Sequence, residues 1–255
     1  MTIILVPYHL DEYLADLDVP LDADAVVAPD LPVSDVWARM AALYGAVAAV
    51  VADAAGRGTR PVVMSGDCTT ALGTVAGLQR AGADPGIVWF DAHGDVQTLE
   101  TTASGYLGGL PLRLLAGYRP ELMAGRLGLR AVPEEQIVLA GARDLDPPEI
   151  SYLAGARIRR AEVADLAVGG LPDGPLPDGP LYVHVDLDVI DPAGVPGLRY
   201  PAPGGPTPGQ VGDAVRHLLG SGRVAAVGIA CTWHPGHGAA AGVGRYLRAA
   251  LASEG

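Results

Sequence analysis

The sequence predicts an α/β fold: a three-layer α/β/α sandwich around a mostly parallel central sheet, in one domain spanning residues 1–255. Three observations predict it. Short apolar runs alternate along the chain with longer segments whose apolar residues recur at helical spacing. The runs are continuously apolar instead of alternating, as strands buried on both faces of a parallel sheet are. The chain has 255 residues, 49% of them hydrophobic, which supplies a sizeable core.

Taken in order, Thr2 to Val6 reads as a strand and Val36 to Ala55 as a helix, with Ser34 as its cap. Pro61 to Ser65 is a strand, Thr69 to Ala81 a helix and Gly86 to Phe90 a strand. Gln136 to Ala140 is another strand, followed by a helix over Pro147 to Leu153. Leu181 to Val185 and Val224 to Ala230 are the last strands. The helix over Pro208 to Leu219 has the clearest start: Thr207 caps, Pro208 takes the first helical position, and Gln210 completes a capping box. Gly220 stops it, and a final helix covers Ala240 to Ala250. Leu-Pro-Asp-Gly-Pro occurs in tandem at 171–175 and 176–180, which reads as a turn-rich surface loop. Six prolines between Pro192 and Pro208 mark an irregular loop. It follows directly on a strand, where ligands of α/β proteins bind.

Composition narrows the function. Net charge is −12, which argues against the clustered basic face of a nucleic-acid binder. All 17 basic residues are Arg, so Lys Schiff-base chemistry and a P-loop lysine are excluded. The two cysteines, Cys68 and Cys231, make no disulfide framework. The start lacks a signal-peptide pattern, and the longest apolar run, Met40 to Ala52, is shorter than the ~18 residues of a membrane span. These features lead to the expectation of a cytoplasmic protein with no membrane partner.

Two acidic clusters carry the chemistry. Asp91, His93 and Asp95 follow the strand ending at Phe90, and Asp186, Asp188 and Asp191 follow the strand over Leu181 to Val185. In extended backbone, alternate residues share a face, so each set converges. Carboxylates gathered at buried strand ends repel strongly unless cations neutralise them. A pair of divalent ions roughly 3.5–4 Å apart does so. Oxygen-rich donors with one imidazole suit Mn²⁺.

These residues resemble the ureohydrolase family of arginase, agmatinase and formimidoylglutamase. The likeness rests on Gly66-Asp67-Cys68, Asp91-Ala92-His93-Gly94-Asp95 and Asp186-Leu187-Asp188-Val189-Ile190-Asp191-Pro192, and runs from about Arg60 to the last strand. It implies two Mn²⁺ ions per subunit. Asp91 and Asp186 would bridge them and act in catalysis. Asp95 would complete one site and orient the attacking hydroxide, and His93 and Asp188 would complete the other. It further implies hydrolysis of a guanidino or amidino C–N bond, a homo-oligomer (trimer or hexamer), and a substrate held by Thr102 and Ser104 at its carboxylate. Asp146 and Glu149 would receive its ammonium group. On sequence logic alone, Asp146 and Glu149 are also the acids of a helix start.

Three positions depart from the family pattern. Cys68 stands where the family has a metal-binding His. A thiolate there would favour Zn²⁺ or Fe²⁺, and a thiol that does not ligate would leave one site short of a donor. Gly108 takes the place of a proton-transfer His, for which His184, His234 and His237 are replacements by residue type only. Thr232 aligns with a Glu that pairs with the guanidinium, and a neutral hydroxyl is no substitute for a bidentate carboxylate. The Cys and Gly replacements, with Glu100 to Gly109, resemble the Nω-hydroxyarginine amidinohydrolase branch. Two other readings remain: a ureohydrolase fold that binds metal or ligand without turnover, and a haloacid-dehalogenase-type phosphatase built on the Asp186-Leu187-Asp188 segment.

Overall fold

The computed structural model describes residues 1–171 and 174–252. Pro172 and Asp173 of the tandem pentapeptide lie outside them. The elements follow in the order β1 (Thr2–Val6), a small hairpin of β2 (Tyr8–His9) and β3 (Glu12–Tyr13), β4 (Ala25–Val26), α1 (Val36–Gly56), β5 (Pro61–Ser65) and α2 (Ala71–Arg80). Next come β6 (Gly86–Phe90), α3 (Pro111–Leu115), α4 (Ala124–Leu127), β7 (Ile137–Ala140), α5 (Pro147–Gly155), β8 (Arg159–Ala161) and α6 (Val163–Ala167). The chain continues through β9 (Leu181–Asp186), α7 (Pro208–Gly220), β10 (Val224–Ala230) and α8 (Ala239–Leu251).

Eight strands form one sheet in the order β4-β1-β5-β10-β9-β6-β7-β8. Every pairing in it is parallel. The expected three layers are present. Helices α1 to α5 and the segments between them pack on one sheet face, with Ile4, Val63, Trp89, Leu139 and Tyr182. Helices α6, α7 and α8 pack on the other, with Met64, Phe90, Val183 and Ile229. Each central strand therefore buries both of its faces, and this is why the runs in the sequence do not alternate.

The Thr207, Pro208 and Gln210 start of α7 is present as a reciprocal capping box. For α1 the cap is Asp35, whose side chain accepts from the Ala38 N–H, in place of the expected Ser34. A carboxylate on the residue next to the helix reaches that N–H, whereas Ser34 stands one residue too far out. Strands β4 and β8, the hairpin and helices α3, α4 and α6 were not expected. At 21 residues α1 is long and apolar enough to cross a membrane. Its Met40, Leu43, Tyr44, Val47 and Val51 face is instead buried in the core beneath the sheet.

Candidate metal centre and substrate cavity

Because the sheet is parallel, strands β5, β10, β9 and β6, adjacent in that order, end at one edge. Cys68 follows β5, Thr232 follows β10, Asp186 ends β9, and Asp91, His93 and Asp95 follow β6. Segments far apart in the chain thus meet, as ligand sites at the carboxyl ends of such strands do. Cys68 Sγ lies 2.9 Å from Asp186 Oδ2, across 118 residues of sequence.

The convergence does not come from extended backbone. The His93 N–H donates to Asp91 Oδ1 at 2.7 Å, and the Asp188 N–H donates to Asp186 Oδ1 at 2.9 Å. Each aspartate closes a turn on the residue two places on, as short carboxylate side chains do. The chain bends at both clusters, and Asp95 sits in the left-handed region at φ +54°. Asp191, the third aspartate of its motif, takes no part in the centre. It accepts from Ala193 N–H at 2.9 Å and Gly204 N–H at 2.8 Å, which fastens both ends of the proline-rich loop.

Two groups of donors result, each with its ligand atoms within 4.8 Å of one another: Cys68, Asp91 and Asp95, and Asp91, His93 and Asp188. Asp91 belongs to both. His93 Nδ1 stands 3.4 Å from Asp91 Oδ1 and 3.1 Å from Asp188 Oδ2. Asp186, expected to bridge alongside Asp91, belongs to neither group: its Oδ1 accepts from the Thr232 hydroxyl at 2.6 Å and its Oδ2 from the Cys68 thiol. Among the described residues, the buried Asp95 Oδ2 has no hydrogen-bond partner. An orphaned carboxylate oxygen beside several other carboxylates is the signature of a missing cation.

The electrostatics agree. Burial pushes the Asp95 carboxyl well above the usual range, and the charges on Asp91 and Asp186 add to this. Burial likewise raises Asp186, with Asp188 and Asp91 contributing. Asp188 is pushed up to about 6 by burial and by Asp91. Burial opposes ionisation of Asp91 too, but hydrogen bonds and charge from His93 outweigh it and hold this carboxyl low. Burial would lower His93, yet its bonds to Asp188 and Asp91 carry it up to about 12. With side chains alone, one imidazolium has to balance the cluster. Divalent cations relieve that imbalance, so the donor set fits two metal ions.

A cavity of about 230 Å³ opens over the centre. Thr102, Ser104, Asp146, Glu149 and Thr232 all line it, together with Cys68, His93, Asp95, Asp186 and Asp188. Every substrate-side residue named from the sequence is therefore on one wall or another of a single pocket. Asp146 and Glu149 also form the capping box of α5, which is the helix start read from the sequence. Glu149 is buried and accepts from Asp146 N–H at 3.1 Å and Val96 N–H at 3.3 Å.

The sequence reading missed Asp67, Gln97, Tyr106 and Tyr200, which also line the cavity. His9, bonded to Tyr106 at 3.1 Å, was missed as well. Asp67 lies in the Gly66-Asp67-Cys68 segment and Tyr106 in the run from Glu100 to Gly109, but the motif gives neither a role of its own; Gln97 and Tyr200 carry no motif, and His9 comes from a hairpin outside the main sheet. Of the histidines named by type, His184 is buried within β9, stacked on Trp89 at 3.7 Å, and burial pushes it down to about 3. His234 and His237 are exposed, and neither they nor His184 line the cavity.

Fold and site together define a class: a three-layer α/β protein with a carboxylate-rich centre for two metal ions at the sheet's carboxyl edge. Residues 7–232 match the arginase family. The arginase of Bacillus caldovelox is 35% identical over 171 residues, 63% of this chain and 57% of that protein. That of Bacillus subtilis is 34% identical over 153 residues, 57% of this chain and 52% of that protein. The chain thus spans about half the length of the curated relatives it matches. The crystal structure of the B. caldovelox arginase superposes with a TM-score of 0.80 at 25% identity, covering 100% of this chain and 98% of that one. Formimidoylglutamase from B. subtilis shares the fold, with a TM-score of 0.72 at 18% identity over 98% of this chain and 85% of that one. The chain belongs to the arginase family. Membership removes the phosphatase reading, which left the Asp91 cluster without a role.

Proposed function

We propose that the protein is a metal-dependent amidinohydrolase that cleaves a C–N bond in the guanidino group of an arginine-like amino acid. We take Nω-hydroxy-L-arginine as substrate and Mn²⁺ as the metal. The observation that carries this is the sharing of Asp91 between two donor groups beneath a cavity whose walls hold hydroxyls and carboxylates.

Asp91, Asp95 and Asp186 would hold one ion, with Cys68 as a further donor, and Asp91, His93, Asp186 and Asp188 the other. Bound divalent ions lower the pKa of water and supply a hydroxide nucleophile at neutral pH. Asp95 would be the acceptor that orients this nucleophile, its Oδ2 having no other partner among the described residues. Thr102 and Ser104 offer donors for the substrate carboxylate, and Asp146 and Glu149 offer acceptors for its ammonium group. Thr232 spends its hydroxyl proton on Asp186, so the cavity presents no carboxylate at that position. This favours a guanidino group that needs no buried counter-ion, which supports a hydroxylated guanidine over arginine. Both thiols are free, in keeping with a reducing cytoplasm. Assembly into a trimer or hexamer belongs to the same reading.

Metal analysis of the purified protein, joined to a product screen over guanidino and formimidoyl compounds, tests this. Mn²⁺-dependent release of urea or hydroxyurea, faster from Nω-hydroxyarginine than from arginine, is expected. Two bound metals with no turnover of any compound would instead favour a fold that binds without catalysis.

A further inference from the structure

The Tyr106 ring enters the cavity from the loop before α3. A Cβ placed on Gly108 would overlap that ring, so the glycine is what makes room for it. Behind Tyr106 its hydroxyl meets His9 Nε2 at 3.1 Å, and the two rings stack with centroids 5.7 Å apart. His9 is itself fixed. Its Nδ1 lies 3.1 Å from the Gly66 carbonyl oxygen, which only accepts, so Nδ1 carries a hydrogen in every protonation state. Two more bonds lock the hairpin to the same segment: Gly66 N–H to the Tyr8 carbonyl at 2.9 Å, and Leu10 N–H to Asp67 Oδ2 at 2.5 Å. Nε2 is thus the only ring nitrogen free to exchange a proton, and it faces a hydroxyl of the cavity wall.

We infer that His9 and Tyr106 form a proton relay that delivers a proton from the protein exterior to the leaving nitrogen of the substrate. This rests on the hydrolytic function proposed above. When His9 is an imidazolium, its Nε2–H donates to the Tyr106 oxygen, and the Tyr106 O–H, which otherwise meets the Tyr200 hydroxyl, turns into the cavity. As the C–N bond of the tetrahedral adduct breaks, its electron pair stays on the leaving nitrogen. That nitrogen takes the Tyr106 proton while the Tyr106 oxygen takes the one on His9 Nε2. The amine departs neutral, the tyrosine is never left as an anion, and His9 ends neutral. His9 is partly exposed and regains its proton from solvent. Burial, with Asp67 adding, holds Tyr106 far above the usual phenol range, so a concerted handover is its only useful mode. The charged and titratable groups around His9 are Glu12 across the hairpin, the Asp11–Arg39 ion pair, Asp67 on Leu10, and Tyr106 backed by Tyr200 and Cys68.

The test compares Tyr106→Phe and His9→Ala with the wild-type enzyme, loaded with Mn²⁺. Both should lose about 10²- to 10⁴-fold in kcat, with KM and metal content retained. The alkaline fall of the kcat profile, where an imidazolium donor is lost, should vanish in His9→Ala. Added imidazole should restore that variant and not Tyr106→Phe. If His9→Ala does not fold, His9→Gln carries the same test, because it keeps a hydrogen-bonding side chain that cannot titrate. Variants that keep the wild-type rate and profile, or a folded, metal-loaded His9→Ala that imidazole does not restore, overturn the relay alone. A wild-type protein inert on every guanidino compound overturns the relay and the proposed function together.

Discussion

At Cys68 a single atom would decide how one metal position is built. Its Sγ donates to Asp186 and belongs to the donor group of Asp91 and Asp95. Burial raises the thiol strongly, and Asp186, Asp95 and Asp91 add to the effect, so without a cation the sulfur keeps its proton. Only a bound ion makes the thiolate available. Cys68→His should therefore shift metal preference from Zn²⁺ toward Mn²⁺ when the protein is dialysed against equal amounts of both. An unchanged ratio by elemental analysis would place the sulfur outside the coordination sphere. The shared aspartate gives a sharper contrast. Asp91→Ala should abolish binding of both metals, whereas Asp188→Ala should leave one ion bound. Equal losses from the two variants would contradict the sharing. These side chains were legible because their spacing is local. The His9–Tyr106 pair spans 97 residues, and no local pattern joins such partners.

Among elements, the packing of α2 on α1 depends on absent side chains. A Cβ at Gly77 would stand 2.7 Å from the Ala48 carbonyl oxygen and from Val51 of α1. One at Gly73 would meet the Tyr44 carbonyl at 2.8 Å. The two glycines lie one turn apart and let the helix backbones come close. Gly77→Ala gains about 1 kcal/mol of helix propensity. It also forces a methyl against backbone that cannot rotate away, at about 1–3 kcal/mol or more for such overpacking. The second effect should win, and a fall in the thermal unfolding midpoint would show it. A rise would mean that the helices separate at little cost. Arg143 plays a related part around the site. Its guanidinium donates to the carbonyls of Gly141, Asp188, Ala202 and Pro203, which ties the Asp188 turn to the proline-rich loop carrying Tyr200. The main strands and the capped start of α7 were readable because their signals lie within a few residues. Strand β4 has two residues and β8 three, at the two ends of the sheet, and their pairing comes from neighbours the local sequence does not announce.

For the whole molecule, the crowded carboxylates link stability to pH. In chelator-treated protein Asp188 is held at about 6, above the ordinary 3.8 of an unfolded chain. His93 is held at about 12, above the ordinary 6.5. Both bind protons more tightly folded than unfolded, so each contributes stability that is lost as pH rises. His184, held at about 3 against 6.5, acts in the opposite sense, but only below 6.5. Asp188 gives up its part by about pH 6, so of these two groups His93 alone should make the unfolding midpoint of the metal-free protein fall from pH 6.5 upward, and metal loading should flatten the slope. A metal-free midpoint that stays level or climbs over that range would show that the cluster is not strained.

What the sequence determined by itself was the alternation of elements, the burial of the strands on both faces, and the type and order of the side chains offered to metal. Each of those is written in neighbouring residues. The tertiary structure alone decided that Asp91 serves both donor groups, that Asp191 fastens a loop, and that the space beside Gly108 is filled by a tyrosine backed by His9. Those outcomes depend on which strand ends become neighbours in the sheet and on which side chain reaches a shared volume first, and distances between remote segments are set only when the core closes.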